Sequence, residues 1–218
     1  MSTSDNYCFL IADDHSVVRQ GLCLLIKELY ANAKIYHAGT LKDTLEVLKE
    51  TRVDLLILDI NFPDGNSINS LEELKSIQKD LKILIFTMND EDIYGMRYLN
   101  GGASGYLSKA SCEDEMKEAL SRMMIFGKYL TSNLKSKISD HFISNKPINP
   151  LDQLSAREVE VAKLLIKGYG NLEITNLLQI KNTTVSTFKK RIFEKLEIDN
   201  VAALIELFQL YFEDKNLA

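Results

Sequence analysis

The first 130 residues alternate short apolar runs with longer segments in which apolar positions recur every three or four residues. The apolar runs span residues 7–12, 33–38, 53–58, 81–86 and 104–107. Several of them are apolar at nearly every position, as expected of parallel strands covered by helices on both faces. The pattern therefore predicts an α/β domain with a doubly wound, five-stranded parallel sheet.

The last third of the chain shows four segments with helical periodicity and no strand-like alternation. Ser155 and Glu158 form a predicted capping box before the first helix, which should end at Gly168. Further helices are predicted near 172–178, over 182–196 and over 201–212, with Asn182 or Thr183 capping the third. Two helices joined by a tight turn indicate a small, all-α, four-helix domain of the helix-turn-helix class.

A polar segment at 128–150 holds two of the three prolines of the chain and lacks sustained periodicity. We therefore interpret it as a linker. The predicted organisation is a first domain at 1–127, a linker at 128–150 and a second domain at 151–218.

The composition indicates the cellular compartment in which the protein is expected to work. The chain has 26 Lys+Arg against 31 Asp+Glu, a formal charge of −5, and the acidity lies in the first domain. The cysteines Cys8, Cys23 and Cys112 lie far apart, which excludes a disulfide framework and a CxxC metal site. The sequence offers neither a secretory leader nor an apolar run of about 20 residues. We expect a cytoplasmic protein with no membrane partner.

Candidate chemistry lies where the predicted strands end. Strand one ends in Asp13 and Asp14, strand three in Asp59, strand four in Thr87, and strand five leads to Lys109. In an open α/β sheet these positions share one rim, where ligands bind. Three neighbouring carboxylates repel one another by roughly 1 kcal/mol per pair in water and about 4 at an effective dielectric of 20. A hard divalent cation such as Mg²⁺ would compensate for this repulsion.

This rim could transfer a phosphoryl group. Asp59 would be a carboxylate nucleophile, while Lys109 neutralises the transferred phosphate and Thr87 donates a hydrogen bond to it. The alternative is a set of solvated loop acids with Lys109 as their counter-ion. We interpret His15, beside the acids, as a loop or helix-start residue, because an all-oxygen site does not favour imidazole.

The third predicted helix of the second domain has one apolar and one polar face. Its apolar stripe repeats at spacings of three and four and consists of Val185, Phe188, Ile192 and Leu196. The other face and its flanks carry Ser186, Thr187, Lys189, Lys190, Arg191, Glu194 and Lys195. Basic residues on a helix in the major groove neutralise phosphates, and short polar side chains reach base edges. A solvated amphipathic helix remains the alternative.

Residues 7–125 resemble the receiver domain of bacterial two-component response regulators, which has a flavodoxin-like fold. The resemblance is carried by Ala12-Asp13-Asp14-His15, by Leu58-Asp59, by Phe86-Thr87-Met88 and by the segment from Gly102 to Lys109. It implies that Asp59 is the phosphoacceptor and that Thr87 and Tyr106 form a switch pair. It also implies that Asp14, Asp59 and the main-chain carbonyl of Asn61 bind Mg²⁺ directly and that Asp13 assists through water. Asn61 and Asn89 occupy the positions that tune hydrolysis in that family, and Ser67 stands where it usually has Gly.

Residues 151–212 resemble a LuxR-type helix-turn-helix, carried by Leu154-Ser-Ala-Arg-Glu158, Leu165-Ile-Lys-Gly168 and Thr184-Val185. The domain order is that of NarL/FixJ-type regulators. The resemblance implies that Ser186, Thr187 and Lys190 read bases and that Lys189, Arg191 and Lys195 contact phosphates. It further implies a sensor histidine kinase, operator DNA and a homodimer as partners, with RNA polymerase reached indirectly, and it argues against an enzyme.

Other functions fit the residues less well. A phosphatase of the haloacid dehalogenase type needs a second acid two residues after the nucleophile, where this chain has Asn61. A flavin-binding site would place phosphate beside Asp13 and Asp14, which repel it. The main alternative function is a phosphorylation-controlled protein-interaction module with weak or no DNA binding.

Overall fold

The computed structural model describes residues 6–144, 147 and 149–212. The chain divides into two compact units, Met1–Ser139 and Asp140–Ala218. Each unit is described separately below.

The first unit is built on the predicted parallel sheet. Its strands are β1 (Cys8–Ala12), β2 (Lys34–Ala38), β3 (Leu55–Leu58), β4 (Lys82–Thr87) and β5 (Gly105–Ser108), in the order β2-β1-β3-β4-β5. All neighbouring pairs are parallel. Each strand lies within two residues of its predicted bounds, so the doubly wound fold is confirmed. After β3, Asn61–Phe62 and Gly65–Asn66 form a two-residue antiparallel pair.

Helices cover both faces of this sheet. They are α1 (Ser16–Leu29), α2 (Leu41–Glu50), α3 (Leu71–Ile77), α4 (Glu91–Asn100) and α5 (Glu113–Phe126). Alternate residues of the strands enter two separate apolar clusters. One contains Leu10, Leu56 and Ile83 with residues of α2, α3 and α4. The other contains Phe9, Ile57 and Leu84 with residues of α1 and α5.

Part of the predicted linker is a helix, α6 (Ser132–Ser144). Its first half belongs to the first unit, where Leu134 is fully buried in the cluster that also holds α4. Thr131 donates a hydrogen bond to Glu91 at 2.7 Å and also accepts one from the Leu134 amide, at 3.1 Å. The sequence predicts a linker here, whereas packing of Leu134 against α4 stabilises the first half of the helix.

The second unit contains the four predicted helices, α7 (Ala156–Ile166), α8 (Asn171–Leu178), α9 (Asn182–Leu196) and α10 (Val201–Phe212). The capping box of Ser155 and Glu158 is present. The turn between α8 and α9 passes through Gln179, which has a left-handed backbone with φ of 51°. No helix in the described part of the chain is long and apolar enough to cross a membrane.

The predicted cap of α9 was wrong. Lys181 occupies the N-cap position and makes no side-chain capping bond within the described residues. Asn182 and Thr183 are the first two residues of the helix, so neither of them occupies the N-cap position. The predicted apolar stripe of α9 is confirmed, because Val185, Ile192 and Leu196 are buried and Phe188 is partly buried against the same cluster.

Candidate functional site

The carboxyl ends of the strands bring the predicted acidic residues together. One metal-binding atom from each of four side chains, a carboxylate oxygen or an imidazole nitrogen, lies within 4.8 Å of the other three. The four residues are Asp13, Asp14, His15 and Asp59. Asp13 and Asp59 are only 2% and 5% exposed, whereas Asp14 faces solvent. The main-chain amide of Ile60 donates a hydrogen bond to Asp59 Oδ1 at 2.7 Å, which fixes the orientation of that carboxylate.

Lys109 brings a positive charge to the same rim. Its Nζ lies 2.7 Å from Asp59 Oδ2 and 2.7 Å from Asp13 Oδ2, and its side chain is only 10% exposed. Burial disfavours the ammonium, but the two carboxylates beside it outweigh burial and raise the pKa of Lys109. Lys109 therefore stays charged at neutral pH and compensates part of the negative charge.

The donor set fits a hard divalent cation. Asp13 Oδ2 is buried and lies 2.7 Å from the ammonium of Lys109. Three carboxylates share the rim with a single imidazole, and carboxylate oxygens are the donors that Mg²⁺ prefers. Asn61 is exposed and lies in the short strand that follows β3, two residues after Asp59.

His15 lies at the N-cap position of α1. Its Nδ1 is 2.6 Å from Asp14 Oδ1, and its main-chain amide donates to Asp13 Oδ1 at 2.8 Å. The imidazole is 67% exposed. His15 thus orients the two acidic side chains from the solvent side.

Asn89 joins the two predicted switch residues. Thr87 Oγ1 donates to Asn89 Oδ1 at 3.2 Å, and the Tyr106 hydroxyl donates to the main-chain oxygen of Asn89 at 3.0 Å. Asn61 Nδ2 donates to the same Asn89 Oδ1 at 3.2 Å. Tyr106 is fully buried, and burial raises its pKa, so its hydroxyl remains a donor. In this arrangement the Thr87 hydroxyl is bonded to Asn89 rather than to Asp59.

The sequence did not reveal a second buried tyrosine hydroxyl, which lies near the loop that follows Asp59. Tyr98 on α4 is fully buried, and its hydroxyl contacts both Asn66 and Ser67. The available signal was Ser67, a polar residue where a glycine was expected.

The predicted polar face of α9 is exposed in the second unit. Ser186, Thr187, Lys190 and Arg191 face solvent. Lys190 lies 3.6 Å from Glu194, and Lys189 lies 5.6 Å above the ring of Phe193. Asn171, the first residue of α8, donates to Ser186 at 3.3 Å. One continuous face therefore presents hydroxyls near the start of α9 and cations along it.

Lys195 has a different environment from the other basic residues of α9. Its Nζ lies 2.6 Å from Oε2 of Glu158, whose side chain is only 4% exposed, and donates to the main-chain oxygen of Gln153 at 3.1 Å. Burial tends to raise the pKa of Glu158, but hydrogen bonds from Lys195 and Ser155 outweigh it and lower that pKa. Lys195 therefore links α9 to α7.

Comparison with known proteins assigns both units. Residues 9–121 match the model of the response regulator receiver domain, and residues 152–208 match that of the bacterial regulatory proteins of the luxR family. The oxygen regulatory protein NreC of Staphylococcus epidermidis is 30% identical over 205 residues, covering 90% of this chain and 94% of that protein. The response regulator GacA of Pseudomonas aeruginosa is 27% identical over 190 residues, covering 87% and 89%.

Solved structures agree in fold. RcsB, solved as two dimers bound to two parallel DNAs, has a TM-score of 0.78 at 24% identity, over 94% of this chain and 99% of that chain. RcsB of Salmonella enterica serovar Typhimurium, bound to a promoter with the phosphomimetic BeF₃⁻, has a TM-score of 0.75 at 23% identity, over 94% and 98%.

The chain belongs to the response regulator family. More closely, it is a two-component regulator of the NarL/FixJ type, with a receiver domain followed by a DNA-binding domain of the LuxR family. Both resemblances drawn from the sequence are confirmed.

Proposed function

We propose that this protein is a phosphorylation-controlled transcription factor that accepts a phosphoryl group on Asp59 from a sensor histidine kinase. The observation that carries the proposal is the placement of Lys109, 2.7 Å from both buried carboxylates, Asp13 and Asp59. A buried acid held between an ammonium and a main-chain amide is oriented for attack on phosphorus. The receiver match gives the same residue a family precedent.

In the transfer step, an oxygen of Asp59 attacks the phosphorus of a phosphohistidine on the kinase. The P–N bond breaks, an acyl phosphate forms on Asp59, and the released imidazole takes up a proton. Mg²⁺ bound by Asp14, Asp59 and the main-chain carbonyl of Asn61, with Asp13 acting through water, would neutralise phosphate oxygens during this step. Lys109 pairs with the transferred group, which adds about 1.5–2 negative charges to the rim.

Phosphorylation would then change the switch pair. The Thr87 hydroxyl leaves Asn89 and donates to the phosphoryl group, since a charged acceptor forms a stronger hydrogen bond than an amide oxygen. The main-chain oxygen of Asn89 also accepts a hydrogen bond from Tyr106, so loss of the Thr87 bond loosens the segment that precedes α4 and holds Tyr106. The phosphoryl group selects between two arrangements of this region according to its differential contacts.

The second unit would bind operator DNA through α9. Ser186, Thr187 and Lys190 are proposed to read bases, and Lys189 and Arg191 to contact phosphates. We propose a structural role for Lys195 in place of the expected phosphate contact, because its ammonium is ion-paired with the buried carboxylate of Glu158. Binding as a homodimer on a two-fold symmetric operator is proposed from the family.

The proposed domains remain 1–127 and 151–218, with 128–150 connecting them. The connection is partly helical, because α6 packs on the receiver as far as Lys137, which donates to Asp92 at 2.9 Å. The protein would reach RNA polymerase only through its operator.

The phosphorylation proposal is tested by intact mass spectrometry of wild type and Asp59→Asn after incubation with acetyl phosphate, with and without Mg²⁺. We expect a phosphoryl adduct on wild type that requires Mg²⁺ and no adduct on the variant. An adduct of equal yield on both proteins would place the acceptor elsewhere, and the absence of any adduct would favour control by protein contacts.

The alternative, an interaction module without DNA binding, is tested by affinity for random duplex DNA across a salt series. A DNA-binding regulator should show log affinity falling linearly with log salt, because bound counter-ions are released. A flat dependence with no measurable affinity would favour the interaction module.

A further inference from the structure

Tyr98 places a hydroxyl in the core of the receiver unit. The residue lies on α4 and is fully buried. Its hydroxyl donates to Asn66 Oδ1 at 2.9 Å and lies 3.1 Å from Ser67 Oγ. Burial raises the pKa of Tyr98, so the group is a neutral donor at all physiological pH values.

The two partners of Tyr98 close the loop that follows Asp59. The Ser67 amide donates to the carbonyl of Ile60, the residue after the acceptor, at 2.9 Å. Asn66 Oδ1 accepts a hydrogen bond from the Ile68 amide at 3.0 Å, capping the helical turn Ser67–Ser70. The loop of 59–67 is thus closed at its base, and its closing residues are tied to α4.

Asn61 lies inside that loop and depends on the same closure. Its Oδ1 accepts from Asn66 Nδ2 at 3.5 Å, and its Nδ2 donates to Asn89 at 3.2 Å. Asn61 is the residue whose main-chain carbonyl the proposed function assigns to Mg²⁺. The tie from Tyr98 through Asn66 therefore reaches the proposed metal ligand.

Ser67 gives the Tyr98 hydroxyl a second partner. A glycine at 67 would leave the Tyr98 hydroxyl with Asn66 alone, and a buried Ser67 without Tyr98 would lack a side-chain partner among the described residues. Each polar group thus offsets the cost of burying the other. The departure at Ser67 and the hydroxyl of Tyr98 form a matched pair.

We infer that Tyr98 is a positioning residue for the phosphorylation reaction, because its hydroxyl holds the loop of 59–67 in the shape that presents Asn61 to Mg²⁺. This inference rests on the proposed function. It predicts a division of effects in Tyr98→Phe, which keeps the ring and the packing but removes the hydroxyl. The loop loosens and the apparent affinity for Mg²⁺ falls, while the phosphorylation rate at saturating Mg²⁺ stays near that of wild type.

The first measurement is amide hydrogen exchange on the metal-free full-length protein, which needs no phosphorylation. We expect Tyr98→Phe to accelerate exchange of the Ser67 and Ile68 amides. The expected factor is about threefold to tenfold, because the net free energy of one hydrogen bond corresponds to a change of that size in the opening equilibrium. Exchange in β1 should stay at the wild-type rate. Tyr94→Phe, on the same helix, is the matched control and should leave both amides unchanged.

The second measurement is the Mg²⁺ dependence of adduct formation from acetyl phosphate. Tyr98→Phe should raise the half-saturating Mg²⁺ concentration about threefold to tenfold, and Ser67→Ala should raise it less. In the double variant the two effects on the half-saturating Mg²⁺ concentration should be less than additive, because both substitutions break the same contact between Tyr98 and Ser67.

The outcomes separate the inference from the function on which it rests. Failure of wild type to form an adduct would overturn the proposed function, while the exchange measurement would still decide whether Tyr98 holds the loop. Normal phosphorylation of wild type, with unchanged Mg²⁺ dependence and unchanged loop exchange in Tyr98→Phe, would overturn the positioning role. A fall in thermal stability alone would also overturn it, since that result indicates core packing.

Discussion

Replacing Lys109 by methionine removes the only positive charge that the described residues place between Asp13 and Asp59. Methionine keeps the length and apolar stem of the side chain, so packing changes little. What remains is a pair of nearly buried carboxylates that no longer share an ammonium. We expect the receiver unit to lose stability.

The size of the loss follows from the geometry. Each contact of 2.7 Å corresponds to roughly 6 kcal/mol of Coulomb attraction at an effective dielectric of about 20. Desolvation of the ammonium offsets most of that attraction, and removing one partner of a buried ion pair costs about 3–5 kcal/mol in practice. Mg²⁺ supplies replacement charge, so it should recover more stability in Lys109→Met than it adds to wild type.

The assay is urea denaturation followed by far-UV circular dichroism, with hydrogen exchange of β1 and β3 to identify the receiver transition. Lys117→Met is a matched control, because Lys117 also lies 2.7 Å from two carboxylates, those of Glu28 and Glu113. Both of those carboxylates are mostly exposed, and exposed ion pairs contribute little. We expect a nearly unchanged midpoint in the control.

Equal midpoints for the two lysine variants would refute the reasoning, since the rim charges would then be solvated. A Lys109→Met loss that Mg²⁺ does not reduce would refute the assignment of a cation to the same carboxylates.

Three further predictions concern other parts of the chain. Because the pKa of Glu158 is lowered, its carboxylate stabilises the second unit above the ordinary value of 4.5 and loses that contribution as the pH falls through the lowered pKa. The hydrogen-exchange protection factors of α7 and α9, which correct for the slower intrinsic exchange in acid, should fall there in wild type and much less in Glu158→Gln. A Cβ on Gly95 would lie 2.6 Å from Leu134 Cδ2, so Gly95→Ala should cost about 1–3 kcal/mol of packing and accelerate exchange in α6, and wild-type exchange would contradict that contact. Arg191→Ala should reduce the salt slope of DNA binding by about 1, because Arg191 is proposed to contact a phosphate, and an unchanged slope would remove Arg191 from the interface. Glu194→Gln should strengthen binding by freeing Lys190, which lies 3.6 Å from Glu194.

Much of the fold could be predicted because its elements follow local rules. The strands of the sheet are continuous apolar runs, and the buried stripe of α9 repeats with helical spacing. Carboxyl ends of parallel strands share one rim, which is why Asp13, Asp59 and Lys109 could be placed together without coordinates.

What could not be predicted depends on contacts between distant segments. The first half of α6 is held by Leu134 against Gly95 and by polar bonds to α4, which are contacts between segments about 40 residues apart. Lys195 has the same charge as its neighbours on α9, and only the structure reveals that Glu158 lies 2.6 Å from it. The contact of Ser67 with Tyr98 joins residues 31 positions apart.

The central claim is that phosphorylation of Asp59 controls DNA binding by the second domain. The most direct test selects a duplex from a randomised pool with the acetyl phosphate-treated protein. Fluorescence anisotropy then measures its affinity for wild type and Asp59→Asn, each with and without acetyl phosphate and Mg²⁺. We predict that phosphodonor and Mg²⁺ together tighten binding of wild type at least several-fold and leave Asp59→Asn unchanged. Equal affinity of treated and untreated wild type for the selected duplex would contradict the account.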